Sequence, residues 1–193
     1  SVSGGRFGVA AIDLTTGDFK VAELENENAM LAELERLNPG EVIYPEESQR
    51  LAASIEPNVS VLNGYDGWVF ALETAEFTLK DHFKVAALDG FGLKGRTAAT
   101  GAAGGALHYV SQHLRRDVAH FTRLAFYEVA DTLVLDAATL KHLEILEPLH
   151  REAAKPGTLY AALNRTSTPM GARRLRDWLT QPLSSVEAIR RRQ

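Results

Sequence analysis

The chain has no cysteine among its 193 residues, which excludes disulfides, thiolate zinc centres and cysteine nucleophiles and fits a reducing compartment. It has no apolar run near the roughly 20 residues that a membrane span needs, and its first residues lack the basic-then-apolar layout of a signal peptide. A cytoplasmic location without a membrane partner is therefore expected. There is no excess of positive charge either: 21 Lys and Arg against 25 Asp and Glu leave a net charge of −4. Nothing draws the whole chain toward nucleic acid, and any DNA contact would need a local basic patch. What is present is a 45% hydrophobic share, enough to build a core in one domain or two small ones. The chain starts at Ser1 without a methionine and stops in "AIRRRQ", which is helix-like and has no capping glycine or closing turn. The expectation is a piece of a longer protein.

Periodicity divides the chain in two. "RFGVAAIDL" and "DFKVAELE" are strand-like runs joined by "TTG", where Gly17 can take the positive φ of a tight hairpin. "NENAMLAELERLN" places Met30, Leu31, Leu34 and Leu37 on one helical stripe, closed by Asn38-Pro39-Gly40. A short strand "EVIYPE", a helix "ESQRLAASI" and a strand "VSVLNG" follow. A second amphipathic helix, "ALETAEFTLKDHF", carries Leu72, Ala75, Leu79 and Phe83 on its stripe. From Gly95 to Phe121 the pattern reads as one long helix, small-residued in its first half and with Leu107, Val110 and Leu114 turned inward in its second. The order describes a hairpin-led α/β domain with amphipathic helices packed on its sheet. After a β-like passage ending at Asp136, the chain turns helical. "AATLKHLEIL" starts from Asp136 as N-cap and turns Leu140 and Leu143 inward. "TPMGARRLRDWLTQ" has Thr168 as N-cap, Pro169 at the first helical position and Met170, Leu175, Trp178 and Leu179 as its apolar face. "SSVEAIRRRQ" opens with the capping box Ser184-x-x-Glu187. This half is expected to begin an all-α domain.

Two stretches imitate nucleotide-binding motifs. Gly90–Thr97, "GFGLKGRT", differs from a phosphate loop by Arg96 in place of lysine, and "TLVLDAA" sets Asp136 after an apolar run as a Walker B strand does. Arg96 is planar and bulky where the chemistry wants a compact charge. Phe91 and Leu93 would push apolar groups into a loop wrapped around phosphates. Leu88, Phe91 and Leu93 read more simply as core residues ahead of a helix start, and Asp136 as a cap. Asp13 on the first long strand, with Glu46, Glu47 and Asp89 after other apolar runs, suggests a two-metal nuclease site. Asp13 before Thr-Thr-Gly is equally a turn former, and the turn is the preferred reading. The six histidines, His82, His108, His113, His120, His142 and His150, are scattered, and no pair has a carboxylate placed for zinc. His113 and His120 fall beside Arg115 and Arg116 on what reads as a solvated helix face. No catalytic, cofactor or metal residue is assigned.

The passages "GVAAIDLTTGDF", "ELERLNPGEVIYPE", "LDGFGL", "LVLDAATLKHLEI" and "TSTPMGARRLRDWLTQPLSSVEAIRRRQ" resemble, in order and spacing, bacterial MutS, the DNA mismatch recognition ATPase family. The resemblance implies that residues 1–123 are a connector domain with a ribonuclease H-like fold, a mixed sheet with flanking helices, and no nuclease activity, and that residues 124–193 begin the helical core and lever region. It also implies that the mismatch-wedging Phe-x-Glu precedes Ser1 and that the Walker motifs, with ATP and magnesium, lie beyond Gln193. "FYE" at Phe126–Glu128 then belongs to core packing. The implied partners are MutL, mismatched DNA through the full-length protein, and a second copy in a homodimer. Glu76, Phe77 and Thr78 form the candidate MutL surface: Phe77 falls off the apolar stripe, so it is either exposed for docking or packed on the preceding loop. Arg173, Arg174 and Arg176 are candidates for DNA backbone contact, with a solvated helix face or acidic neighbours as the other reading. Two positions depart from the family pattern, His142 where Asn is usual and Asn164 where Asp is usual.

Overall fold

The turn Thr15–Gly17 sets the register from which the sheet is built. Gly17 sits at φ +74° and its N–H donates to the Asp13 carbonyl at 2.9 Å. Strands β2 (Arg6–Asp13) and β3 (Asp18–Leu24) run antiparallel from there, with Phe7 opposite Leu24 and Asp13 opposite Asp18. The short β1 (Val2–Ser3) adds antiparallel to β2, and β6 (Ala125–Phe126) adds parallel to β3 on the other side. Because side chains alternate across a strand, this register sorts the sheet into two faces. Ala10, Ile12, Phe19 and Val21 join a core with Leu79, Leu88, Leu93, Ala99, Ala103, Leu107, Phe121 and Leu124. Val9, Ala22 and Leu24, also buried, point the other way, where α1 (Glu27–Leu37) packs on β2 and β3.

The computed structural model describes residues 1–128, 133, 135, 137–149 and 157–192, which divide into two compact units, Ser1–Tyr127 and Glu128–Gln193. In the first unit, helix α1 begins where the Asn26 side chain accepts the Ala29 N–H at 2.9 Å. It ends at Asn38, which takes the left-handed conformation at φ 45° and so does the work a terminal glycine usually does. Met30 and Leu34 are buried as the stripe predicts. Strands β4 (Val42–Pro45) and β5 (Leu62–Tyr65) pair in parallel as a separate two-stranded sheet, joined through α2 (Gln49–Ile55). Helix α3 (Leu72–Phe83) buries Ala75 and Leu79 completely. Leu72 is exposed, contrary to its place on the stripe. Val69 and Phe70, from the turn before the helix, are buried there instead.

Helix α4 (Thr97–His108) is the best-buried element, with nine of its residues buried. Its small residues make that possible. A Cβ on Gly104 would lie 2.4 Å from the Cα and Cβ of Ala75 on α3, and one on Gly8 would lie 1.9 Å from the Ala98 carbonyl oxygen. The sequence reading of one helix through Phe121 is corrected here: α4 stops at His108 and widens into a single π-type turn, Tyr109–His113. Arg115 then adopts φ 50° and the Arg116 N–H closes on the Val110 carbonyl at 3.1 Å, a left-handed helix stop. The stop turns the chain so that Phe121 and Leu124 enter the core. His120 is consequently not on the helix, while exposed His113 stacks on Tyr109 with ring centroids 4.8 Å apart.

The second unit shows four helices among its described residues: α5 (Ala137–His142), α6 (Leu159–Leu163), α7 (Pro169–Thr180) and α8 (Val186–Arg192). Thr168 caps α7 by accepting the Gly171 N–H at 3.1 Å, with Pro169 at its first position, as expected. Two readings are corrected. Helix α5 ends at His142, so Leu143 is exposed and Ile145 is buried in its place; Glu144, at φ 50°, breaks the helix. Helix α8 starts at Val186, with the Ser185 hydroxyl accepting from the Ala188 N–H at 3.5 Å, one residue later than the capping box at Ser184 implies. On α7, Met170 is 63% and Trp178 41% exposed while Leu175 and Leu179 are half-buried, and α6 packs on this helix. Asp136 and His150 lie outside the described residues.

Close packing of α3 on α4 predicts that Gly104→Ala destabilises the first unit by about 1–3 kcal/mol in urea unfolding, overriding the helix-propensity gain of up to about 1 kcal/mol. Gly90→Ala, where a Cβ would meet nothing within 4 Å, should stay within about 0.5 kcal/mol of the parent.

Candidate functional site

The phosphate-loop look-alike is folded as a structural plug. Asp89–Phe91 form a single 3-10 turn, Leu88 and Leu93 are buried, and Phe91 packs on the same core. A helix N-terminus attracts anions because its first N–H groups lack partners. On α4 a protein carboxylate already fills that role: Glu23, reaching from β3, accepts the Ala99 N–H at 3.1 Å. Arg96 does not point at an empty cradle; its guanidinium lies 3.9 Å from the ring centre of Phe126. Phe126, of the "FYE" stretch, thus packs between Arg96, Gly92 and the core.

Asp13 folds as the turn reading predicts. One carboxylate oxygen accepts the Thr15 N–H at 2.8 Å and the Thr16 N–H at 3.2 Å, and the Thr15 hydroxyl donates to the same oxygen. Partial burial pushes this carboxyl up; the bonds from Thr15 and then Thr16 outweigh it and bring it down to about 2. Glu46 and Glu47 lie just after β4, with the Glu47 carboxylate against Gly67, while Asp89 pairs with Lys94 at 3.5 Å. Among the described residues no three His, Asp or Glu side chains form a group that could hold a metal ion. Of the histidines, His82 donates its Nε2–H to the Phe121 carbonyl at 2.8 Å, and His108 Nδ1 meets the Tyr65 hydroxyl at 3.0 Å. Both serve packing.

On α3 the three candidate docking residues have different commitments. Glu76 pairs with Lys80 one turn on, at 2.7 Å, and the Thr78 hydroxyl donates to the Thr74 carbonyl at 2.9 Å. Phe77 is 73% exposed, so it does not pack on the preceding loop. In the second unit Arg173, Arg174 and Arg176 are all exposed on α7, and Arg174 lies 5.6 Å from the Trp178 ring centre. Asn164 caps the end of α6: its Oδ1 accepts from the Thr166 N–H and hydroxyl at 3.2 and 2.7 Å, and its Nδ2 donates to the Tyr160 hydroxyl at 3.1 Å. An aspartate could keep the first two bonds and would receive the tyrosine hydroxyl as a donor, so the departure preserves the turn. His142 is exposed.

Sequence reasoning missed Glu23 as a cap borrowed from the sheet, a contact between residues 76 positions apart that no local pattern announces. It also missed Glu33, which is 2% exposed. Here a signal existed, since an acidic residue three positions after Met30 falls on the buried stripe.

Fold and site together define a mixed α/β domain whose motif-like segments are committed to its own packing, followed by a helical unit. The profile described as MutS domain II matches residues 1–122, and that described as MutS domain III matches residues 138–193. The chain is 39% identical to the DNA mismatch repair protein MutS of Solibacter usitatus, an alignment covering 98% of this chain and 22% of the relative. It is 36% identical to that of Protochlamydia amoebophila over 97% of the chain and 22% of the relative, and 34% identical to that of Lachnoclostridium phytofermentans over 94% and 20%. The chain belongs to the MutS family of DNA mismatch repair proteins. It spans about a fifth of the length of these relatives and corresponds to domains II and III, not to the ATPase domain. No described helix is long and apolar enough to cross a membrane.

The Asp13 turn predicts an NMR titration midpoint near 2 for its carboxyl, against an ordinary value of 3.8. Since the folded value is depressed, the turn's contribution to stability is complete above about pH 5 and is lost as pH falls through 4 toward 2. Thr15→Ala should move the midpoint back toward the ordinary value.

Proposed function

We propose that this chain is a non-catalytic connector and the start of the core and lever region of a MutS-type mismatch repair ATPase. It joins the mismatch-binding and ATPase regions, passes conformational change between them, and docks MutL through the α3 surface at Glu76, Phe77 and Thr78. The observation that carries the docking role is Phe77. A phenylalanine 73% exposed on a helix that buries Ala75 and Leu79 completely is poised as an interface anchor. Lys80 and Thr74 hold its neighbours Glu76 and Thr78 in place, so the surface around it is ordered before a partner arrives.

A ribonuclease H-like architecture without nuclease chemistry suits a hairpin-led mixed sheet with α1 on one face and α3 and α4 on the other. Asp13, held by Thr15 and Thr16, is part of the turn in this reading. ATP and magnesium belong to the ATPase domain elsewhere in the protein, mismatched DNA is bound by the full-length homodimer, and the location is cytoplasmic. Arg173, Arg174 and Arg176 offer an exposed cationic group that would contact the DNA backbone nonspecifically.

The test is a titration of the chain against the N-terminal ATPase region of MutL. Saturable binding is expected, and Phe77→Ala should weaken it roughly thirtyfold, the effect of losing about 2 kcal/mol at an interface anchor. Equal affinity in the variant would rule out α3 as the docking face.

A further inference from the structure

The first unit ends on β6, and this strand is short. It holds to β3 through the pairing of Ala125 with Lys20 and Phe126 with Val21, extended by the Tyr127 N–H donating to the Val21 carbonyl at 3.0 Å. Two residues of ladder are a weak attachment for the segment that leads out of the unit. The side chains supply the rest, on both faces of the sheet.

Alternation sends Phe126 and Tyr127 to opposite faces. Phe126 shares the face of its partner Val21, packs against Gly92 with its Cβ close to that backbone, and lies under the Arg96 guanidinium at the start of α4. Tyr127 turns to the α1 face. Its hydroxyl donates to Glu33 Oε1, the Arg36 Nε donates to Glu33 Oε2 at 2.8 Å, and the Arg36 guanidinium lies 5.9 Å from the tyrosine ring centre. Glu33 is 2% exposed and Arg36 17%. A carboxylate so thoroughly removed from water depends on its donors: Arg36 supplies Nε and Nη2 from α1 itself, and the Tyr127 hydroxyl is the donor that comes from the exit strand, so losing it loosens that strand from α1. Burial and the Glu33 charge push the Tyr127 hydroxyl well above the ordinary tyrosine range, so it stays a donor at all working pH values.

We propose that Tyr127, Glu33 and Arg36 form a buried latch that makes the exit strand and helix α1 open as one unit, so that displacement of the chain beyond Tyr127 is carried into α1. The idea rests on the transmission reading above and supplies it with residues: β6 is the input, the Tyr127 hydroxyl the link, and α1 the element moved. Phe126 under Arg96 is the opposite anchor, holding the strand in line so that a pull on Tyr127 is not relieved by the strand sliding. Coupling of this kind needs an element with two arrangements, latched and lifted.

Residue-resolved amide hydrogen exchange on the 193-residue chain tests it without MutL, DNA or nucleotide, so its failure is separate from failure of the docking role. In the parent protein the Tyr127 amide and the α1 amides should report the same opening constant, within about threefold, and the same dependence on low urea. In Tyr127→Phe, which keeps the ring and removes the hydroxyl, both should exchange about tenfold faster or more, while hairpin amides of β2 and β3 stay within about threefold of the parent. Faster exchange at the exit strand with α1 unchanged would overturn the proposal, as would equal acceleration throughout the unit. Should the variant fail to fold, the comparison in the parent decides alone: separate opening constants or separate urea dependences for Tyr127 and α1 contradict the latch.

Discussion

The first unit depends on how closely α4 can approach the sheet. Gly8 has no side chain where the backbone of Ala98 passes, and a single carbon there would come within 1.9 Å of a carbonyl oxygen. That approach brings Ala99 and Ala103 onto Phe19 and Val21 and places the Ala99 N–H on the Glu23 carboxylate. The same helix presents Gly104 to Ala75 on its other side, fixing α3. With α3 seated through Ala75 and Leu79, Phe77 is left outside. The exposure on which the proposed docking role rests thus follows from contacts made by residues that never reach the surface.

A second consequence concerns the imitation phosphate loop. A glycine-rich segment before a small-residue helix is what close helix packing requires, and it is also what phosphate binding requires, since both need backbone to come near something. The difference lies in what occupies the helix N-terminus. Here Glu23 provides the negative charge from within the fold, and Arg96 turns aside to Phe126. The motif letters describe a geometry that the protein uses on itself.

Much of this was legible in the sequence where a local rule governs. The Asp13 to Gly17 turn, the Met30 and Leu34 stripe, the Leu88 and Leu93 plug and the Thr168 cap all follow from residues within a few positions of one another. The family resemblance carried the assignment to MutS, which residue patterns alone would not have done. Illegible features were those set by distant contacts or by a stop without a glycine. Arg115 ends the α4 region in a left-handed conformation that arginine seldom adopts, so periodicity ran on to Phe121. Glu144 does the same to α5 and hands the buried position from Leu143 to Ile145. The Tyr127 to Glu33 bond spans 94 positions, and only the odd placement of Glu33 on an apolar stripe hinted at it.

The α4–sheet approach at Gly8 organises the first unit. Urea unfolding of Gly8→Ala beside Gly40→Ala, where an added Cβ meets nothing within 4 Å, tests it most directly. A loss of roughly 3 kcal/mol or more is expected for Gly8→Ala, because backbone and not a flexible side chain must move, and a change within about 0.5 kcal/mol for Gly40→Ala. Equal stability of the two variants would contradict it.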